Sequence, residues 1–380
     1  METTPSSTQH FTSTTASDCA PLLQTGHSGG LNKYAPRLEF WTRRAVASDR
    51  SGDGFTDSAI DAQVRVDRPR PYQDQHHVDS RRRERATDER ALVLGGGGAA
   101  GNAWLIGVIA GLFDAGLDVT DADLIIGTSA GSTAAAQITS ASPTQLLADI
   151  LSAAPQQRRV PVGSDSRRPA KGRVVDHMRR TSEIIAAAAG AADMRRRLGA
   201  AALEMDAASD GSGQTQWRAT VAARLPSQHW PHRRMHIIAV DAHTGEPVVF
   251  DRHSGVDLVD AVAASCSSGV AYRIGDSQYI DGGYRRSSEN ADLAAGYGRV
   301  LVLSPLGGRS RAPLEWGMHL AAQVDELRVN GSRVETIFPD SSAIAAFGDN
   351  LMNLSTRLPV ARAGYDQGRA LAVQITEFWR

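Results

Sequence analysis

The chain has 380 residues, 41% of them hydrophobic, enough to bury the core of one large or two ordinary domains. A formal net charge of -1 argues against a dedicated nucleic-acid binder, and because 39 of the 41 basic residues are arginine we read that bias as GC-rich coding, not as function. Two cysteines, Cys19 and Cys266, are too few for a disulfide framework or a four-ligand zinc site; a reducing cytoplasm fits best, with Cys266 as a small core residue.

Residues 1–88 are rich in Ser, Thr, Asp, Arg, Gly and Pro and show no sustained period of 2 or 3.6, the composition of a disordered leader. The first residues have no basic segment followed by an apolar one, so no secretory signal is expected. The run Arg81-Arg82-Arg83-Glu84-Arg85 has the chemistry to hold anionic lipid or nucleic acid, but a basic run in a linker is more often simply solvated.

Globular sequence starts at Ala91. Ala91 to Leu94 is a short apolar run that ends in four glycines, Gly95 to Gly98, and from Asn102 to Ala115 apolar residues recur at helical spacing (Leu105, Val108, Ile109, Leu112). This reads as strand, glycine loop, helix. Ala91 to Phe113 is uncharged and long enough to span a bilayer, but the glycines would break a helix in its middle. A second apolar run, Leu124 to Ile126, enters Gly127-Thr128-Ser129-Ala130-Gly131, where small residues on either side of a serine permit a tight strand-to-helix turn with Oγ exposed. Together the two loops answer the needs of acyl transfer: Ser129 as nucleophile, and bare N–H groups around Gly97 and Gly98 for the oxyanion, assisted by a helix N-terminus.

Further along, helices are expected to about Thr139, from Pro143 through Ile150, and across the Ala-rich stretch from Ser182 to Ala208. The last could cap the open end of a sheet or serve as plain scaffold. Strands are expected at Met235 to Val240 and Val248 to Phe250, with His243-Thr244-Gly245 turning between them. Asp257 to Ala264 reads as a helix, and a short strand at Gln278 to Ile280 enters Asp281-Gly282-Gly283, where the carboxylate can stand free at a strand end. Arg299 to Leu303 and Arg333 to Phe338 read as strands; Pro313 to Leu327, Ser341 to Phe347 and Ala361 to Phe378 read as helices. This alternation implies an α/β fold with a largely parallel sheet covered on both faces and ligands at the carboxyl ends of its strands.

Three segments in this order, Gly96-Gly97-Gly98-Ala99-Ala100-Gly101, Gly127 to Gly131, and Asp281-Gly282-Gly283, resemble the patatin-like phospholipase family. The resemblance covers roughly residues 91–298 and implies a three-layer αβα sandwich. Residues 89–298 would form the catalytic domain with a helical cap insertion at about 144–230, and residues 299–380 an α/β continuation of the same domain. It implies a serine lipid acyl hydrolase that needs no cofactor or metal. Ser129 would be nucleophile, Asp281 base, and the loop with Gly96, Gly97, Gly98 and Gly101 the oxyanion hole, with Gly127 and Gly131 framing the nucleophile elbow. The implied partner is a lipid or ester substrate, in the cytoplasm and with peripheral membrane contact left open; no nucleic acid is expected, and the oligomeric state is not indicated. Two features depart from the pattern: Ala100 stands where many members carry Arg or Lys, and Ser267-Ser268-Gly269 replaces an apolar Pro-containing loop.

Three other readings compete. An α/β-hydrolase would share the serine elbow but needs a histidine late in the chain, and only His319, inside an expected helix, follows Asp281. A dinucleotide-binding domain would use Gly96 to Gly101 with Asp118 as ribose acid, but Asp118 follows a helix end and not a strand. A non-catalytic interaction module would have no reason to keep serine, aspartate and glycine loop together.

Overall fold

The computed structural model describes residues 88–153, 170–209 and 211–380. The expected leader up to residue 87, with its arginine run, lies outside the described residues. The strands are β1 (Arg90–Leu94), β2 (Leu124–Gly127), β3 (Arg234–Asp241), β4 (Pro247–Phe250), β5 (Tyr272–Ile274), β6 (Ser277–Asp281), β7 (Arg299–Leu303) and β8 (Arg333–Ile337). They form one sheet in the order β5-β6-β3-β2-β1-β7-β8, with β4 also paired to β3. From β3 through β8 the pairs are parallel, whereas β4 and β6 run antiparallel to β3, and β5 antiparallel to β6.

The helices are α1 (Gly98–Asp114), α2 (Ala130–Ile138), α3 (Pro143–Ser152), α4 (Ala170–Ala187), α5 (Ala191–Ala207), α6 (Ser212–Ala222), α7 (Leu258–Ser265), α8 (Leu320–Val329), α9 (Ser341–Phe347) and α10 (Arg357–Trp379). Side chains alternate across each strand, so β1 serves two cores. Leu92 and Leu94 join one cluster with α1, α2, α3, α7 and α10, while Ala91 and Val93 join another with Tyr297 and α8. A third cluster packs α4 and α5 against Val240 and Ile280 of β3 and β6. The result is a three-layer α/β sandwich with a mostly parallel central sheet, as the alternation of elements implies.

Three details differ from the sequence reading. The segment from Pro313 to Leu327 is not one helix: a 3-10 turn at Leu314–Trp316 ends at Gly317 in the left-handed region (φ 62), and α8 starts only at Leu320. His319 therefore occupies the N-cap of α8 instead of its interior. Strand β5 was not anticipated, since three residues are too few to show a period. Helices α1 and α10 each start earlier than their apolar spacing suggests, at Gly98 and Arg357.

Chain order brings β1 next to β2 on one side and, much later, β7 on the other. Connections diverge at that point, which opens a crevice at the carboxyl end of β1. The helix that leaves this crevice, α1, is buried on all sides, with every residue from Ala100 to Leu112 inaccessible. Its partner is α10, in backbone contact through two glycine pairs. A Cβ at Gly107 would lie 2.2 Å from the Ala361 carbonyl oxygen, one at Gly111 2.2 Å from that of Tyr365, and one at Gly368 2.3 Å from that of Val108. Trp104 Nε1 then donates to Gln367 Oε1 at 3.0 Å across the seam.

Because carbonyl oxygens of a helix cannot step aside, Gly107→Ala or Gly111→Ala should cost about 3 kcal/mol of stability by overpacking. Gly213→Ala, with open space around its Cα, should cost nothing measurable. Urea denaturation of the three variants checks the difference.

Candidate active site

Each turn of the site is fixed by close backbone approach. After β2 the chain reverses at Ser129, which holds φ 53 and ψ -118, a strained conformation for a residue with a side chain. The strain is sustained by contacts on both sides. Gly131 sits so near β1 that an added Cβ would lie 1.9 Å from the Leu94 carbonyl oxygen. The Ser129 N–H donates to Ser265 Oγ at 2.9 Å, and the Ser132 hydroxyl donates back to the Ser129 carbonyl at 2.6 Å.

Asp281 closes β6 on the other side of β3, 8% exposed. The glycine behind it is obligatory, since a Cβ at Gly282 would lie 2.1 Å from the Ile238 carbonyl oxygen. The Asp281 carboxylate accepts from the Gly283 N–H at 2.8 Å, and the Ser129 side chain lies near enough to act on its titration. Burial pushes its pKa up to about 6, against the opposing pull of the Gly283 N–H and the Ser129 side chain. No cation among the described residues contributes to holding it down. Nearby, burial first and the Asp281 charge second push the Cys266 thiol up to about 11, so it stays protonated and inert at neutral pH.

The glycine loop divides into engaged and free donors. Gly96 N–H donates to the Ser288 carbonyl at 2.8 Å, Gly101 N–H to that of Gly97 at 2.9 Å, and Ala100 N–H to that of Leu351 at 2.9 Å. Among the described residues nothing accepts from the N–H groups of Gly97 and Gly98. Gly98 has φ 65 and opens α1, so its donor carries the positive end of that buried helix. Gly96 packs on the serine: a Cβ there would lie 3.4 Å from Ser129 Cβ. Of the expected oxyanion-loop residues, Gly97 and Gly98 thus present free donors, while Gly96 and Gly101 shape the loop.

Three residues that the motifs do not announce hold this arrangement. Asn290, fully buried and left-handed at φ 54, donates from Nδ2 to Thr128 Oγ1 at 3.1 Å and to the Gly282 carbonyl at 2.9 Å. One amide thereby ties the residue before Ser129 to the residue after Asp281. Behind the glycine loop the buried Glu289 carboxylate accepts from the hydroxyls of Ser287, Ser288 and Ser304 at 2.6–2.7 Å. The third is Ser265, noted above.

The rival residues lie elsewhere. His319 bonds neither Ser129 nor Asp281 among the described residues, and its Nδ1 is buried without a partner. Asp118 is exposed in the turn leading into β2, where its Oδ1 accepts from the N–H and hydroxyl of Thr120. That is the wrong end of a strand for a ribose acid. A serine hydroxyl next to a desolvated carboxylate, with two unused N–H groups on the adjoining loop, is an arrangement suited to attack on a carbonyl carbon.

No curated protein matches the sequence. Among solved structures, the crystal structure of VipD from Legionella pneumophila is similar to this chain at 12% identity and a TM-score of 0.38, over 76% of this chain and 67% of VipD. The family model for patatin-like phospholipases matches residues 92–295, which contain the glycine loop, Ser129, Asp281 and Asn290. With more than half of its length matched, the chain belongs to the patatin-like phospholipase family.

Proposed function

We propose that this chain carries out the lipid acyl hydrolysis of its family with Ser129 as nucleophile and Asp281 as general base, through an acyl-enzyme. The observation that carries the reading is a strained serine at a strand-to-helix turn whose side chain acts on a buried carboxylate with a pKa near 6. Ser129 Oγ attacks the ester carbonyl and passes its proton to Asp281. The N–H groups of Gly97 and Gly98 take the oxyanion charge. Collapse expels the alcohol, which leaves with the proton from Asp281, and water activated by the same carboxylate then releases the fatty acid and restores the serine. A carboxylate near its usual pKa of about 3.9 is a weak base for this work. At about 6, Asp281 is more basic and still largely ionised at neutral pH. Helices α4 to α6 form the cap over the substrate entrance, and the leader before residue 88 is dispensable for the chemistry. No helix among the described residues is long and apolar enough to cross a membrane.

Activity on one soluble p-nitrophenyl ester separates this dyad from a triad. Ser129→Ala should be inactive, Asp281→Asn reduced by about 10² to 10⁴, and His319→Ala close to native. A collapse with His319→Ala and survival with Asp281→Asn would overturn the assignment.

The pH dependence follows from the raised pKa. Below about 6 the Asp281 carboxyl is protonated and cannot accept, so kcat/KM should fall on its acidic side with a midpoint there. Stability runs the other way. A carboxyl whose folded pKa exceeds its unfolded value contributes fully below the unfolded pKa, and that contribution is lost as pH rises through about 6. Asp281→Asn should therefore be more stable than native at pH 8, by at most about 3 kcal/mol, and show no gain near pH 3. Denaturant titrations at the two pH values check this.

A further inference from the structure

Two guanidiniums within electrostatic reach of each other flank the first turns of α1, and no carboxylate among the described residues pairs with either. Arg357 is the first residue of α10, and Arg224 follows the end of α6. Arg357 Nη2 lies 3.4 Å from Asn102 Oδ1, while its Nε is buried with no hydrogen-bond partner among the described residues. Arg224 Cζ lies over the Trp217 ring, 5.4 Å from its centroid, and among the described residues its guanidinium donates to nothing. One polar chain holds the pair in place: Asn102 Nδ2 donates to Gln137 Oε1 at 2.9 Å, and Gln137 Nε2 to the Arg224 carbonyl at 3.0 Å.

Left to itself this arrangement opposes folding. Burial, then the like charge of Arg224, keeps the Arg357 pKa below its ordinary value. Arg357 also stands at the N-terminus of a 23-residue helix, the positive end of its dipole. That end is not alone. A Cβ at Gly107 would meet Ala361 and Tyr365, and one at Gly111 would meet Tyr365 and Arg369, so α1 and α10 run parallel and begin side by side. The start of α2 is close as well: Cys266, which feels the Arg224 charge, lies 3.7 Å from Ser132 Oγ and 3.8 Å from Thr133 Oγ1 in the first turn of that helix. None of the three helices has an acidic residue in its first turn. Two guanidiniums without a counter-charge, set among three positive helix ends, are complementary to a small anion of more than one negative charge.

We propose that Arg224 and Arg357 form a binding site for a phosphate group. The guanidinium fork suits a tetrahedral oxyanion with several acceptors, and the Arg357 Nε–H and the Arg224 donors are the groups that such an anion would satisfy. Arg357 lies beyond residues 92–295 of the family match, so the pair joins the matched region to the C-terminal helix. Asn102, which Arg357 touches, is four residues past Gly98, or about 6 Å along α1. A phosphate held there lies near the free N–H groups of the glycine loop, and, resting on the acyl-hydrolase reading above, it is one that the ester substrate carries. Free phosphate offers the same chemistry, and experiment separates the two sources.

Binding tests the site without turnover. Inorganic phosphate is titrated calorimetrically into the full chain at constant ionic strength, and native protein should bind it with a Kd of about 1 mM. Arg357→Gln and Arg224→Gln should each weaken binding about tenfold or more. Arg179→Gln, which removes an exposed arginine of α4 paired with Glu183, should leave it unchanged. In phosphate-free urea denaturation Arg357→Gln should be at least as stable as native, because it relieves a buried like-charge contact at a helix N-terminus; an arginine kept for structure alone would lose stability on the same change. Absence of binding by folded native protein, equal weakening in Arg179→Gln, or a marked loss of stability in Arg357→Gln would overturn the site. For the source of the phosphate, the kcat/KM ratio of hexanoyl lysophosphatidate to monohexanoylglycerol should fall about tenfold in Arg357→Gln. A ratio that stays put while phosphate binding is lost would overturn the substrate as the source and leave free phosphate as the ligand. A protein that binds phosphate but hydrolyses neither ester would keep the site and lose the hydrolase reading; one that hydrolyses both esters but binds no phosphate would do the reverse.

Discussion

A carboxylate buried with no cation among the described residues to hold it ionised is an unfavourable thing to build, and the proposed dyad depends on Asp281 being one. Water would lower its pKa and a salt bridge would lower it further; either would leave a poor proton acceptor. The fold prevents both by placing the residue at the end of β6, against β3 and under Tyr284, with Cys266 as a neutral neighbour. Its hydrogen bond from the Gly283 N–H and the neutral Ser129 side chain orient the carboxylate without neutralising it. Such sites oppose folding and persist only where the surrounding packing over-determines them.

That packing is mostly backbone against backbone. Gly131 on Leu94, Gly282 on Ile238 and the α1 glycines on Ala361 and Tyr365 leave no room for adjustment, so the positions of Ser129, Asp281 and the free N–H groups are set by rigid elements. Asn290 completes the frame. A single buried side chain spanning Thr128 and Gly282 makes the spacing of Ser129 and Asp281 insensitive to motion of the loops themselves.

How much of this the sequence disclosed depends on the range of each interaction. The glycine loop, the elbow and Asp281-Gly282-Gly283 are local devices, legible because each needs particular small residues within a few positions of a strand end. Asn290 was invisible for the opposite reason: its partner Thr128 lies 162 residues away, and no local pattern marks an asparagine that bridges two loops. Glu289 escaped likewise, since three serines around a buried glutamate look like ordinary loop composition. A signal did exist for the α1 and α10 seam, in Gly107 and Gly111 matched by Gly364 and Gly368, but apolar periodicity draws attention away from glycines inside helices. His319 falls within the helical apolar spacing of Pro313 to Leu327, but the left-handed turn at Gly317 ends one element before the next begins.

The pH dependence of Ser129 phosphonylation tests the account most directly, because a fluorophosphonate reads nucleophile activation without a lipid interface or a leaving-group step. Mapped by peptide mass, the label should sit on Ser129, its rate constant should rise with a midpoint near pH 6, and Asp281→Asn should nearly abolish it while His319→Ala leaves it intact. Labelling at another residue with parallel loss of activity, or a rate at Ser129 that Asp281→Asn leaves unchanged, would contradict it.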